Sequence, residues 1–341
     1  MTAVSAEHAA FYDFVARHPS FLLTTHVNPD GDGIGSEVAT ALWLRARGKT
    51  VHVLNDSLLP HAFGFLARSH PVESWDPELA ERRFTEAGAL LVLDTGNRQR
   101  IGRLAELIDR HLIAVAVVDH HVSHQGFGQV NVIEPEASAT GEIVYDLIRE
   151  AGDEITLPMA EALYVALMTD TGSFRYSNTD SSAHRMAADL IARGLDPQHL
   201  HALVHAQASA GRLRFFGEVL SALELHADGR LVVLEAAPEQ FQRHGLSGAD
   251  TEGLVDLPRS IAGVEVVALI SEIDPGKVKV SMRSTGRVAI DRLASRLGGG
   301  GHPHAAGALL KGSRGEARAR VLPELGRLVA ELDGTRPAAA R

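Results

Sequence analysis

The first half of the chain alternates short apolar runs with stretches of helical spacing. FLLTT (21–25), TVHVLN (50–55), ALLVLD (89–94) and AVAVVD (114–119) are aliphatic and β-branched with few polar positions, the texture of strands covered on both faces. Between the first two, residues 34–47 place apolar side chains at Ile34, Val38, Ala41 and Leu42 ahead of Gly48, one helix face followed by a stop signal. Further helices are expected over 139–150 and 159–168. Strands alternating with helices predict an α/β fold, a mostly parallel doubly wound sheet.

The texture changes after Arg193. RGLDPQHLHALVHAQASAGRLRFFGEVL has weak strand signals and several helix formers, so a helical linker is expected over about 190–220. Beyond it LVVLEAA, VEVVALISEID and KVKVSMRS read as strands, the last two joined into a hairpin by Asp274-Pro275-Gly276. A helix over 288–297 and a loop, GGGGHPHAAG, follow. The expected layout is therefore a catalytic domain over 1–190, the linker over 191–220, a smaller mixed α/β domain over 221–330 and a disordered tail over 331–341.

At 341 residues and 45% hydrophobic content the chain can bury the cores of two domains. No apolar run approaches a membrane span, and Glu7, His8, Asp13 and Arg17 interrupt the N-terminal segment, unlike a secretory leader. A cytoplasmic location with no membrane partner is expected. The absence of cysteine excludes disulfides, thiolate metal sites and cysteine nucleophiles, so any metal must be held by His, Asp and Glu. The net charge of −10 argues against a protein that coats long nucleic acid. It is unevenly spread: residues 275–320 carry ten Lys/Arg against Asp291 and Glu316, a net +8 that leaves −18 for the remainder.

The expected strands end in one kind of residue. FLLTT runs into His26, Asp30 and Asp32, ALLVL into Asp94, and AVAVV into Asp119, His120 and His121. Carboxyl ends of parallel strands share one sheet edge, where such folds place ligands, so these residues are predicted to converge. Asp170, after the apolar helix ALYVALM, is aimed at the same edge. A lone Asp after a strand is most often a turn residue or a helix cap. Four such sites are a different matter. Five carboxylates and three imidazoles in one place need raised pKa values or bound cations. Oxygen and imidazole ligands without sulfur favour Mn²⁺, with Mg²⁺, Fe²⁺ or Co²⁺ as alternatives, and the excess of acids suggests two ions about 3.5–4 Å apart, a spacing suited to phosphoester hydrolysis. In HVNPDGDGIGS, Pro29, Gly31 and Gly33 are expected to turn the chain so that Asp30 and Asp32 face different ions, with Gly35 and Ser36 aiding packing and capping.

HVNPDGD, the lone Asp94, VVDHH and MTDTG resemble, in order and spacing, the successive motifs of the DHH phosphoesterase family. KVKVSMRS and GGGGHPHAAG are similar to the DHH-associated C-terminal domain of its nanoRNase and pAp-phosphatase branch. The resemblance implies two Mn²⁺, one on His26, Asp30 and Asp94, the other on Asp32, Asp94, His120 and Asp170, with Asp94 bridging. It implies that Asp119 orients an imidazole or a water and that His121 donates to the scissile phosphate or leaving oxygen. It also implies that Arg283, Gly298, Gly299, Gly300, Gly301 and His302 hold the terminal phosphate or nucleotide. Arginine's planar fork suits that grip, and glycine N–H groups can approach an anion closely. His304 matches less well and is read as scaffold.

The two domains are expected to form a cleft, metals on one wall and the basic domain on the other. The implied activity is Mn-dependent cleavage of short RNA or DNA oligonucleotides, about two to five nucleotides long, and of pApA to nucleoside 5′-monophosphates, with removal of a phosphate from pAp. The 5% aromatic content agrees, being too small for a long stacking groove. Rival readings are a cyclic di-AMP phosphodiesterase, a manganese inorganic pyrophosphatase, a recombination-type exonuclease for longer strands, and a cyclic-dinucleotide sensor without turnover. A homodimer is compatible with all of them.

Overall fold

In the computed structural model the chain forms two compact units, Met1–Gln207 and Ala208–Arg341. The structure describes residues 4–334 apart from Ser123, Gln125 and Glu252, and not the side chains of Ala249, His302 and Asp333.

The first unit runs α1 (Ala6–Arg17), β1 (Ser20–Thr24), α2 (Gly31–Ala46), β2 (Thr50–Asn55), β3 (Val72–Ser74), α3 (Pro77–Glu86), β4 (Ala89–Leu93), α4 (Leu104–His111), β5 (Ala114–Asp119), β6 (Val130–Ile133), α5 (Thr140–Glu150), α6 (Leu157–Asp170), α7 (Ser181–Ala192) and α8 (Pro197–His205). Its six strands lie in the order β3-β2-β1-β4-β5-β6, every pairing parallel. Alternate residues feed two cores. Phe21, Leu23, Leu91, Leu93, Ala116 and Val118 face the layer of α1, α2, α5 and α6, while Leu22, Leu90, Val92, Val115 and Val117 face that of α3 and α4. That two-sided burial, about 1.5–3 kcal/mol for each large side chain, explains the uninterrupted apolar runs. The order reverses between β1 and β4, which opens a crevice at their carboxyl ends.

Helix α2 starts three residues before the position expected from periodicity. Asp30 is its cap, accepting from the N–H groups of Asp32 and Gly33 (both 3.1 Å), so Gly31 and Gly33 belong to the helix and not to a turn. Their small size serves close packing instead: a Cβ on Gly31 would lie 2.5 Å from the Thr169 side chain, and one on Gly35 would run into the Ala162 carbonyl of α6. Asn28, left-handed at φ 53°, makes the turn. At the other end of the layer the buried His8 joins α1 to Glu134 and Glu150 (2.6 Å each), and these carboxylates push its imidazole up to about 9.

The second unit runs α9 (Ala210–Ser221), β7 (Glu224–His226), β8 (Leu231–Ala236), α10 (Pro238–His244), β9 (Val266–Asp274), β10 (Lys277–Ser284), α11 (Asp291–Arg296), β11 (Gly300–His302), β12 (Ala305–Lys311) and α12 (Arg314–Gly334). The sheet order is β11-β12-β10-β9-β8-β7, mixed because β8 and β9 are parallel and the other pairs antiparallel. The β9–β10 hairpin turns at Pro275-Gly276 as expected, with Gly276 at φ 74°. The segment read as a linker holds the end of α7, all of α8 and nearly all of α9, and the units divide inside it.

Two expectations need correction. GGGGHPHAAG, read as loop, holds strand β11 and the start of strand β12, whose weak β formers alternate buried Ala306, Ala308 and Leu310 with outward residues. The stretch 331–341, read as tail, begins as the last turn of α12; residues 335–341 lie outside the described residues.

Candidate metal centre

The residues after β1, β4 and β5 meet at the crevice where the strand order reverses. Asp94 follows β4 in a left-handed conformation (φ 58°) that a non-glycine residue adopts only under constraint, while its N–H still donates to the Val118 carbonyl of β5 (3.0 Å). The turn lifts the Asp94 carboxylate off the sheet with only 2% exposure. Its Oδ2 lies 3.5 Å from His26 Nε2, and its Oδ1 lies 3.7 Å from both His120 Nε2 and His121 Nδ1. Thr140 Oγ1 donates to the same Oδ1 (3.2 Å).

Three donor clusters result: His26 with Asp30 and Asp94; Asp32 with His120 and Asp170; and Asp94 with His120 and His121, the donor atoms of each within 4.8 Å of one another. His26 Nε2 is 3.7 Å from Asp30, and His120 Nε2 is 3.7 Å from Asp32 and 3.6 Å from Asp170. These separations are too long for hydrogen bonds and close to what donors sharing one cation show. Each ring is fixed from behind, His26 Nδ1 on the Val27 carbonyl (2.9 Å) and His120 Nδ1 on the Ala137 carbonyl (3.1 Å), which turns both Nε2 atoms to the carboxylates.

Asp32 is 1% exposed and caps a second helix. Its oxygens accept from the N–H groups of Thr140 (2.7 Å) and Gly141 (2.9 Å) at the start of α5 and from Ser36 Oγ (3.2 Å). Even so, burial and the neighbouring Asp94, Asp170 and Asp30 drive its pKa well above the usual carboxylate range. Burial likewise pushes Asp170 up to about 6, only partly offset by His120. Burial would lower the His26 imidazole, but Asp30 and Asp94 reverse this and push it up to about 10. Without cations the site must take up protons; with two divalent ions every one of these acids has a partner. The donor set, all oxygen and imidazole, fits hard or borderline ions such as Mn²⁺ or Mg²⁺.

Asp119 stands behind this layer, fully buried. It accepts from His121 Nδ1 and His124 Nδ1 (2.7 Å each), and against the effect of burial these rings hold its pKa below the usual range. Asp119 in turn holds the His121 imidazole above its ordinary value, which leaves His121 Nε2 as the outward atom.

Sequence reasoning missed His124, because one histidine three positions past DHH carries no spacing signal. It also missed Asn178, whose Nδ2 donates to Asp170 at both the carbonyl (3.2 Å) and Oδ2 (3.3 Å), and Asn55, whose Oδ1 accepts from the Thr25 N–H (3.0 Å) ahead of His26 while its Nδ2 donates to the buried Glu37 (2.8 Å). Only the SATGE pattern at the start of α5 could have pointed to the cap on Asp32.

In the second unit Arg283, half-buried in β10, lies opposite Ala305 of β12, which lies opposite His302 of β11, so the three occupy one row across the sheet. Its Nε is 3.4 Å from Asp256. The glycine run does not offer four free N–H groups, as the sequence had suggested. Gly298 N–H donates to Ser295 (3.0 Å) and Gly299 N–H to Ala294 (2.9 Å), closing the end of α11, and Gly300 and Gly301 sit in β11. A Cβ on Gly299 would strike the Gly307 carbonyl, so strand approach accounts for that glycine. His304 lends its carbonyl to the Ser284 N–H (2.9 Å), the expected scaffold position. The side chain of His302 lies outside the described residues. The basic excess of 275–320 is partly neutralised by acids elsewhere in the unit: Arg287 pairs with Glu265, Arg296 with Glu324, Arg314 with Glu235, and Arg318 with Glu224 and Glu235.

Residues 20–167 match the family described as the DHH family, N-terminal domain, and residues 228–331 match the DHHA1 domain. A bifunctional oligoribonuclease and PAP phosphatase NrnA of Thermus thermophilus is 34% identical over 296 residues, 85% of this chain and 84% of that protein. A probable protein of the same description from Streptococcus mutans is 29% identical over 303 residues, 86% of this chain and 90% of the relative. The crystal structure of an exopolyphosphatase-related protein from Bacteroides fragilis superposes with a TM-score of 0.91 at 28% identity, covering 98% of this chain and 99% of that one.

Proposed function

The chain belongs to the DHH family of phosphoesterases and carries a DHHA1 domain, and from that premise we propose that it is a Mn-dependent phosphodiesterase of short oligonucleotides. It degrades nanoRNA and pApA, and short DNA of like size, to nucleoside 5′-monophosphates, and it removes a phosphate from pAp. The observation that carries this reading is the sharing of Asp94 between donor clusters at the sheet's switch point. The activity named for the Thermus thermophilus relative supports it. No helix among the described residues is long and apolar enough to cross a membrane, and a cytoplasmic location belongs to the same reading.

Two divalent cations, when bound, supply Lewis-acid polarisation of the phosphoryl oxygens and of the attacking water. His26, Asp30 and Asp94 would hold one, and Asp32, Asp94, His120 and Asp170 the other. Thr140 fixes the Asp94 oxygen that faces His120, and the N-terminus of α5 fixes both oxygens of Asp32, so the ligands are held before substrate arrives. His121, held by Asp119 at Nδ1 and raised above its ordinary pKa by that carboxylate, donates from Nε2 to a phosphate oxygen or to the leaving oxygen. Arg283 and the Gly298–Gly301 run grip the substrate's terminal phosphate or nucleotide with His302, the arginine as charged fork and the strand β11 backbone as the close-approach surface.

The test is a Mn²⁺ assay over di- to pentaribonucleotides, pApA, pAp, cyclic di-AMP and pyrophosphate. Preferred turnover of the short linear substrates and pAp is expected. Preference for pyrophosphate or cyclic di-AMP, or tight binding of cyclic di-AMP without cleavage, would overturn the reading.

A further inference from the structure

The chain has eleven Phe, four Tyr and two Trp, all of them described, and each is buried or half-buried except Tyr176, which is 54% exposed. Leaving a large ring in water forgoes the stabilisation of burial, so its position calls for a cause.

The loop that carries it is tightly built. Ser173 N–H donates to Met168 (2.7 Å), the N–H groups of Arg175 and Tyr176 both donate to Thr171 (2.9 and 3.0 Å), and Thr179 N–H donates to Tyr176 (3.0 Å). The Phe174 ring is wedged between Tyr164 and His184, with centroids 6.0 and 5.5 Å away. Ser173 and Phe174 are consecutive left-handed non-glycine residues (φ 59° and 63°), a strained geometry that persists only where surrounding contacts impose it. The Tyr176 ring rests on Gly172, where a Cβ would collide with it, so glycine there makes a seat for one face of the ring.

The loop is also anchored to the metal centre. It leaves α6 at Asp170 and returns at Asn178, whose side chain holds the Asp170 carbonyl and carboxylate. Beside the ring, exposed Arg175 has its Nε tied to the Gly172 carbonyl (2.7 Å), and its guanidinium makes no ion pair among the described residues. In a unit whose formal charge is −12, an exposed arginine next to an exposed ring matches a ligand with an aromatic face and a phosphate.

We propose that Tyr176 is a stacking platform for a nucleobase flanking the scissile phosphate, with Arg175 contacting that nucleotide's phosphate. This rests on the reading of the centre as a nucleotide phosphodiesterase. It makes the metal-bearing unit itself a reader of bases, separate from the grip assigned to Arg283.

Two measurements test it. Tyr176→Ala should raise KM for a diribonucleotide roughly tenfold, with kcat within about twofold, while Tyr176→Phe behaves like the parent and an abasic counterpart of the dinucleotide shows no change. Arg175→Ala should raise KM on both substrates by a smaller factor that shrinks with added salt. Independently of turnover, the fluorescence of 2-aminopurine riboside 5′-monophosphate should be quenched by the parent and by Tyr176→Phe but not by Tyr176→Ala. If Tyr176→Ala leaves KM and quenching unchanged in an enzyme that cleaves short RNA, the platform is wrong and the function stands. If the parent cleaves no oligonucleotide, the functional reading fails, and quenching alone decides the platform. A changed oligomeric state with unaltered KM would assign the ring to a protein interface and overturn the proposal.

Discussion

The two units treat charge in opposite ways. The first carries a formal −12, and its buried acids Asp32 and Asp94 have no Lys or Arg partner among the described residues. The second carries a formal +2, and Arg243, Arg287, Arg296, Arg314, Arg318 and Arg327 are each matched by a glutamate of the same unit. Charge answered by its own fold contributes at most modestly to stability and asks for nothing else. Buried charge left unanswered needs a partner from outside. By this criterion the acidic edge of the first sheet is a candidate site, whereas the paired part of the second unit's basic segment, conspicuous in the sequence, is architecture; Arg283, which also has Asp256 beside it, is singled out only by the proposed grip on substrate.

The contrast can be broken at its acidic end. Asp94→Ala should lower Mn²⁺-dependent phosphodiester cleavage by at least about 1000-fold while the circular dichroism spectrum is retained, and turnover near the parental rate would remove Asp94 from the bridge.

Metal itself gives the next largest effect. Asp170 has its folded pKa raised to about 6, so the metal-free protein loses stability as pH rises from about 4 through about 6, and Asp32, raised in the same direction, adds to that loss as it ionises. His26, raised to about 10, contributes stability that is fully present below about 6.5 and is lost as pH climbs towards 10. His8 behaves in the same direction but is remote from the site, so the comparison with and without metal cancels it. Saturating Mn²⁺ should raise the melting temperature by about 5–10 °C at pH 8 and by clearly less at pH 5.5, with protons released on binding. An equal shift at both pH values would show that metal does not replace those protons.

Asp119→Ala removes the acceptor behind His121 and should cost roughly 10–100-fold in kcat with little change in metal affinity. Lost Mn²⁺ binding would instead make Asp119 a support of the metal ligands. Arg283→Ala should raise KM about tenfold for short RNA yet leave bis-p-nitrophenyl phosphate cleavage unaltered, since that compound lacks the gripped phosphate. The smallest effect belongs to the paired charges: Arg318→Ala should cost about 1 kcal/mol or less in urea unfolding and leave KM alone. A KM change as large as that of Arg283→Ala would erase the distinction between structural pairing and the proposed grip on substrate.

Much of the first unit was legible because its strands are covered on both faces and each ends at the site. The run TVHVLN and the run AVAVVD mark the bounds of β2 and β5. The start of α2 was misplaced because glycines argue against a helix by propensity, and only the facing α6, which no local pattern reveals, explains them. Elements β11 and β12 were hidden for the same reason, being built from glycine and alanine whose strand character comes from pairing. Within the site, most of the proposed ligands announce themselves by position after strands and Asp170 by its place at the end of an apolar helix, whereas Asn178 on Asp170, Asn55 on Thr25 and Glu37, and His124 on Asp119 act from loops or a strand end with no periodic signal. The neutralisation of the basic segment could not be read at all, because Glu224, Glu235 and Glu265 lie far away along the chain.

Asp32 ends helix α5 as well as facing His120, and α5 finishes at Glu150, where His8 fastens the first helix of the chain. If the proposed ions are what balance that carboxylate, their removal should weaken its hold on the start of α5 and speed proteolysis there, so a protease half-life measured with and without Mn²⁺ would read how far the metal supports the fold.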